Sequence, residues 1–505
     1  MQFQFPPRST RGAVLGFAWS QIALVMAGVI AAVVALNLLV TRHRGAALTA
    51  FALCALLITL GLLRFRGRRV TEWAPVVAGA LIQRRSGQSE YRGGPYAPNS
   101  VETWMDLPGP AAAYVWLPAT AADGTTQIGL LHHRREKTVT AALACYGTNL
   151  ILADRDVQAQ RLTDWAQLLN ILGSEYAEAG LVRWSVTSRA VPDTGNAAQR
   201  YLVNRAVDTT SPAYRSLAQL TAAAAPAAQR HEIYLAVVFD VARLSGEIAQ
   251  AGGTDAATAA VVLDRLTGIE AAVMEAGVTT GGWLSPRAYA AVIRTQFDPD
   301  DQEVVDLRAT TEAGRDSPTA AGVEPRLAGP AAARTVGWQT YQHDSGYSRT
   351  LWVAQMPRQK VAATWLTPLY MRTTSRRSVT LVAQPVPAAL AQLATRRDKV
   401  SRAGDEVTKR KLRLVRTARE ADEARAVEQI DREQAAGHVR YRYALLVTVT
   451  AGTIPDLDRD VRAVKRILSR AGCEAIVLAG EQDQAFAAGA LPLARGLKPA
   501  RGWSA

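Results

Sequence analysis

The stretch from Phe17 to Arg69 reads FAWSQIALVMAGVIAAVVALNLLVTRHRGAALTAFALCALLITLGLLRFRGRR. Two apolar runs are separated by only five residues, TRHRG. Phe17 to Val40 carries no formal charge over 24 residues, and Ala46 to Leu63 carries none over 18. As helices they reach about 36 Å and about 27 Å, against a hydrocarbon core of about 30 Å. Both are therefore expected to span a membrane, over about 17–40 and 46–63. The short turn makes them a hairpin with both ends on one side.

The charges around this hairpin set its expected direction. Residues 1 to 100 hold eleven arginines, no lysine and two acids, Glu72 and Glu90, so this fifth of the chain carries +9 of the total formal charge of +14. Arg8, Arg11, Arg64, Arg66, Arg68 and Arg69 flank the outer ends, against Arg42 and Arg44 in the turn. The positive-inside rule then places both termini in the cytoplasm. Arg64, Arg66, Arg68, Arg69 and Trp73 are the expected membrane-anchoring residues, at about 1 kcal/mol per arginine near anionic lipid. A cleaved signal peptide is the competing reading of Arg8 and Arg11 before an apolar run. The length of that run and the second span directly after it argue against it. Ala23, Ala27, Ala31 and Ala35 form a small-residue stripe suited to close helix packing, against the second span or another subunit.

At 505 residues, with 49% apolar composition, the chain has room for two soluble units beyond this anchor. Cys54, Cys145 and Cys473 have no metal-ligand spacing and read as reduced thiols. From about Gly94 the pattern becomes mixed α and β. LTDWAQLLNILGSEYAEAG sets Leu162, Trp165, Leu168, Leu169, Leu172 and Tyr176 on one helical face, with Gly180 as the stop. LVRWSVTSRA alternates as a strand, and HEIYLAVVFDV is an almost continuously apolar one. This gives a first α+β domain over 94–300, expected to carry helices on one sheet face. Residues 301–335 read as a linker. A second α+β domain follows over 336–505, with strands at YSRTLWVAQMP, RRSVTLVAQPVP, YALLVTVTA and CEAIVLAG. Its helix PDLDRDVRAVKRILSRAG repeats Leu457, Val461, Val464 and Leu468. That order suggests a ferredoxin-like sheet with a helical insertion at 387–436. The insertion mixes twelve basic with nine acidic residues, as one solvated helix or as a hairpin breaking near Gly404 and Asp405.

Catalytic signatures are sparse. The phosphate-binding loop, the dinucleotide fingerprint, H-E-x-x-H and G-x-S-x-G do not occur. His132 and His133 face opposite sides of a strand and sit beside Arg134 and Arg135, so they read as a charged hairpin rim. TTGGWLSP, Thr279 to Pro286, offers either an anion site at exposed amides or an N-cap at Ser285 followed by Pro286. His231 opens an apolar strand, His343 and His438 read as residues of polar turns, and none of the three makes a persuasive catalyst. No catalytic residue, cofactor or metal is expected.

The arginine-flanked hairpin, then TEWAPVVAGALIQRRSGQ, RTLWVAQMP, SVTLVAQPVP and the closing AFAAGALPLARGL, resemble a family of actinobacterial membrane proteins of conjugation-type secretion loci. The layout is similar to a PrgI-type two-helix segment fused to the non-ATPase, amino-terminal half of the conjugation ATPase of type IV secretion. The resemblance implies a non-catalytic inner-membrane scaffold in an oligomeric assembly, contacting membrane lipid and other secretion subunits and docking a separate ATPase. Direct nucleic-acid binding is not expected, since acids from Glu420 onward offset the basic run near Lys409. The alternatives are an EccE-like membrane subunit of type VII secretion, which also begins with two spans before an α/β domain, and a membrane-anchored enzyme with an unrecognised site.

Overall fold

A computed structural model describes residues 2–3, 5, 19–65, 68–87, 89–93, 105, 107–121, 123–147, 152–192, 196–224, 229–310, 321–371, 375–411 and 418–497. They fall into two units. One comprises residues 1–5, 89–388 and 438–505, the other residues 6–88 and 389–437.

The second unit contains the two apolar helices, Trp19–Val40 and Arg44–Leu62. Both are long and apolar enough to cross a membrane, and only 11% of each span is buried. A helix Val70–Arg85 follows, with Glu72 in its first turn and Arg84 and Arg85 in its last, each suited to the helix dipole. The charged insertion forms helices Ala388–Lys411 and Ala418–Ala435. They run antiparallel, tied by Thr395 Oγ1 to Gln434 Oε1 at 2.9 Å and by Lys399 to Asp431 at 2.6 Å. Helix continues through Gly404 and Asp405, so the expected break does not fall there.

The first unit is built on a sheet. Two small ribbons lie outside that sheet: β1 (Gln2–Phe3) pairs with β14 (Val361–Ala362) in the first unit, and β2 (Arg64–Phe65) with β3 (Arg68–Arg69) in the second. The remaining strands are β4 (Glu90–Arg92), β5 (Tyr114–Leu117), β6 (Leu130–His133), β7 (Thr138–Tyr146), β8 (Leu181–Pro192), β9 (Gln229–Asp240), β10 (Thr279–Trp283), β11 (Ala332–Val336), β12 (Thr340–His343), β13 (Gly346–Gln355), β15 (Arg376–Pro385), β16 (Tyr441–Ala451) and β17 (Glu474–Val477). Among the described residues these thirteen form one sheet in the order β4-β11-β12-β13-β16-β15-β8-β9-β7-β6-β5, with β17 also on β13 and β10 also on β7. Every pairing is antiparallel.

The boundary expected at 301–335 does not divide this sheet. β8 and β15 pair from Trp184↔Ala383 to Ala190↔Arg377, so the two soluble segments share one hydrogen-bonded ladder. Residues 301–310 are helical, and Ala332–Val336 is a strand. Glu90–Arg92, which precedes the domain start expected at 94 and so falls in the expected anchor segment 1–93, is the edge strand beside Ala332–Val336.

Outward from the β8–β15 seam the strand order is the same on both sides, apart from the edge strand β4, which has no counterpart. β5, β6, β7, β8, β9 and β10 correspond to β11, β12, β13, β15, β16 and β17. In each half the four longest-connected strands lie in the order fourth, first, third, second, with a helical insertion between the second and third. Sequence follows this duplication. Arg183 to Pro192, RWSVTSRAVP, matches Arg376 to Pro385, RRSVTLVAQP, at six of ten positions. Thr187 pairs directly with its equivalent Thr380 across the seam. Ala288-Tyr289-Ala290-Ala291 matches Ala485-Phe486-Ala487-Ala488, and His133 and His343 end equivalent strands.

Helices cover both faces of the sheet, not one. Ala141, Leu143, Leu235, Val237 and Phe239 point into a core with helices Arg155–Gly173 and Asp255–Glu275, while their neighbours Ala142, Ala236 and Val238 point into another with helix Pro286–Phe297. The continuous apolar run of β9 follows from this, because a strand buried on both faces has no polar side to show. In the second half, Leu351, Val447 and Val449 pack under helix Ile454–Arg470. The other face is closed by helix Gln482–Gly489 and the segment Leu491–Ala494.

Candidate functional site

The residues expected to anchor the chain lie around the end of the second apolar helix and in the helix after it. The backbone of Arg64, Arg68 and Arg69 folds back on itself, Arg64 pairing with Arg69. Their side chains, and Arg66 altogether, lie outside the described residues. Trp73 is half-buried on helix Val70–Arg85.

The alanine stripe is only partly where its spacing puts it. Ala35 is buried and Ala31 half-buried, but Ala27 and Ala23 are exposed. Steps of four residues advance 40° beyond a full turn, so four such positions wind around the helix instead of lining one seam. The face that meets the second helix runs through Gln21, Gly28 and Ala35, spaced by seven. Gly28 sets the approach distance there, since a Cβ would stand 2.7 Å from Ile58 Cγ1. Gln21 Nε2 donates to Gly61 O at 2.7 Å, which satisfies a polar group that lipid could not.

Sequence reasoning missed the polar seam of the sheet unit. At its centre Thr380 Oγ1 lies 3.1 Å from Thr187 Oγ1 and donates to Gly489 O at 2.9 Å. On the same face Thr350 meets Thr448 at 2.9 Å and Ser348 meets Thr450 at 2.7 Å. Threonine is shaped like valine, so it packs under a helix while its hydroxyl bonds sideways to the next strand. Gly489 lets the covering helix sit close, because a Cβ would stand 2.6 Å from Thr448 Oγ1.

Beside this band, Arg189 is 1% exposed. It donates to Val292 O at 3.2 Å and Thr295 Oγ1 at 2.9 Å, and lies 3.3 Å from Glu232. Arg230 pairs with Glu232 at 2.8 Å and binds Asp306 through both nitrogens, at 2.9 and 3.1 Å. Burial pushes the Glu232 carboxyl up, but the flanking Arg189 and Arg230 outweigh it and hold it below the usual range. Arg376 donates to Thr295 O at 2.9 Å, and burial with the nearby Arg189 pulls its pKa down to about 10. Helix Asp301–Thr310, inside the expected linker, is thus fixed to the sheet through Asp306.

A second cluster holds the closing segment ALPLARGL. Glu136 accepts from Arg183 at 2.9 Å and from Arg495 at 2.7 Å, while Leu491, Leu493 and Ala494 are fully buried.

The histidines fall into place as core or rim. His343 is fully buried, not in a polar turn. Its Nδ1 lies 2.5 Å from Phe297 O and its Nε2 2.7 Å from Ser348 Oγ, and burial lowers its pKa to about 4. Ser348 is as buried as His343, so this serine-histidine pair has no substrate-accessible face and acts as a strut. His133 is also buried, accepts from Glu136 N at 3.0 Å and stacks edge-on against Tyr114. His438 meets Asn170 at 3.0 Å. Ser285 caps helix Pro286–Phe297, its Oγ accepting from Ala288 N at 3.2 Å. Cys145 and Cys473 are buried thiols pushed up to about 11 by that burial.

No protein-family model and no curated protein matches this chain. The described surface is therefore read by its own chemistry: an exposed aliphatic hairpin, and a sheet unit whose charged clusters brace the fold.

Proposed function

We propose that the protein is a membrane-anchored, non-catalytic subunit of a secretion apparatus. Its two apolar helices lie in the cytoplasmic membrane with both termini in the cytoplasm, and its sheet unit is a docking platform for other subunits. The observation that carries this reading is the outward surface of the helix pair. Met26, Ile30, Val33, Leu36, Leu48 and Phe51 are each more than two-fifths exposed. Water would penalise that surface by about 25 cal/mol per Å², and lipid would not. The pairing of Gln2–Phe3 with Val361–Ala362 supports the orientation. It sets the N-terminal residues against the unit that follows the hairpin, as two crossings require.

We read each half of the sheet as a ferredoxin-like unit, since the order fourth, first, third, second with antiparallel neighbours is that of a split βαβ fold. The pair is joined edge to edge through the second strand of each.

One assignment is a conjugative, type IV-like apparatus with a separate ATPase docked on the platform. A second, an EccE-like subunit of type VII secretion, is favoured by the continuity of the sheet. A single α+β body after two spans matches that layout better than two successive domains. Purification from native membranes in mild detergent, with mass spectrometry and an ATPase assay of the eluate, tests the reading. Copurifying secretion subunits are expected. A type IV-like ATPase selects the first machine and type VII membrane partners the second. A chain recovered alone with its own activity would overturn the scaffold role.

A further inference from the structure

The duplication supplies an internal control. Helices Asp255–Glu275 and Ile454–Arg470 occupy equivalent places in the two halves. Each starts on a threonine cap, Thr254 or Thr453, and each is followed by an alanine and a glycine of positive φ, Gly277 or Gly472. They bury matching aliphatic faces, Val262, Leu266 and Val273 in one and Leu457, Val461 and Leu468 in the other. The fold asks the same of both, so a difference between their outward faces answers to something besides folding.

That difference is in charge. The second helix exposes Arg459, Arg462, Arg466 and Arg470 at steps of three, four and four. Arg459 pairs with Asp456 and Asp460. Arg462, Arg466 and Arg470 have no side-chain partner among the described residues, and like charges four residues apart cost helix stability. Of the five charged residues in the first helix, four are acidic. Its outward face sets Ala260, Thr267 and Ala271 around Asp264 and Glu275, with Met274 exposed at its C-terminal edge, leaving room for long side chains to lie across the rest. The one basic residue, Arg265, is taken up by Asp264 and Glu247. Asp264 and Glu275 are roughly 16 Å apart along the axis and Arg462 and Arg470 roughly 12 Å, a mismatch that arginine side chains can span.

The geometry points to a self-association interface in which the arginine face of Ile454–Arg470 docks on the acidic, small-residue face of Asp255–Glu275 in a second copy. Within one chain the helices rest on strands five steps apart, roughly 24 Å, so they cannot meet. Each copy carries both faces at different places, so the contact is head-to-tail and repeats into a ring or filament. The inference does not rest on the secretion reading.

The test uses the full chain in nanodiscs or mild detergent, with size distributions from mass photometry. The variant R462E/R466E/R470E is expected to weaken association at least tenfold with unchanged Tm, and D264R/E275R to weaken it as much, with at most a small fall in Tm from the lost Asp264–Arg265 pair. Combining all five substitutions in one chain restores the contact with reversed polarity. The wild-type assembly should also dissociate as salt rises. An unchanged size distribution in either single-face variant overturns the proposal. So does loss without rescue in the combined chain; the arginine face then has another anionic partner, and lost retention on anionic lipid vesicles would identify it as lipid.

Discussion

The two halves of the sheet unit reach one backbone arrangement with different interiors. Where the first has Arg189, held by Glu232 and Thr295, the second has the equivalent Val382, buried without any polar partner. Where the first has Val292 on its closing helix, the second has Gly489 against Thr448. What the halves share at their element ends is punctuation: threonine caps, glycine stops, and a buried histidine ending β6 and β12. The path of the chain is thus set by signals at element ends, while interior positions need only be filled and satisfied.

The largest test of this comparison is Arg189→Ala. It leaves the largely buried Glu232 carboxylate with one arginine fewer, and a loss of about 3 kcal/mol is expected in chemical denaturation. Val382→Ala at the equivalent place should cost only about 1–2 kcal/mol, since it removes methyl groups alone. Equal losses would break the claim that the halves differ in what holds them.

Acid dependence comes next. Burial lowers the His343 pKa to about 4 and also lowers that of its counterpart His133. The unfolded chain takes up these protons near pH 6.5, whereas the folded chain takes up that of His343 only near pH 4 and that of His133 at a pH below 6.5. Stability is therefore full above pH 6.5 and falls as pH drops toward 4, by about 3 kcal/mol for His343. His343→Gln should flatten the fall of Tm across that window, and an unchanged slope would show that other groups control it.

Gly489→Ala sharpens the comparison at the closing helices. The added methyl meets Thr448, so a loss of about 1–3 kcal/mol is expected. Val292→Ala in the other half should cost less, and the reverse ranking would contradict the close approach. The smallest effect belongs to Lys399→Ala in the second unit. Its pair with Asp431 is nearly half exposed on both sides, and a change within about 0.5 kcal/mol is expected.

Legibility followed the range of the forces involved. The apolar helices were readable because length and hydropathy are properties of a continuous stretch. Helix Ile454–Arg470 was readable down to its buried Leu457, Val461, Val464 and Leu468, because the helical period and the terminal Gly472 are local. Strands β8 and β15 could each be recognised, but their pairing joins residues almost two hundred positions apart, and nothing local announces it. The candidate polar seam was hidden for the same reason. Arg189, Glu232 and Asp306 come from three separate elements, and only their convergence separates a braced arginine from a surface one. The alanine stripe shows the limit of spacing alone: its angular drift puts Ala35 and Ala31 in the seam between the two helices and Ala27 and Ala23 on the outward face.

The sequence by itself determined that two apolar segments are long enough to cross a membrane, that α and β elements alternate after them, and where many helices begin and end. These follow from transfer free energy, periodicity and capping, which act within a few turns of chain. The tertiary structure alone decided that the soluble elements share one sheet with helices on both faces, that the halves mirror each other across Thr187 and Thr380, and that His343 is core. Such outcomes depend on which distant surfaces exclude water together, and that is a property of the assembled chain.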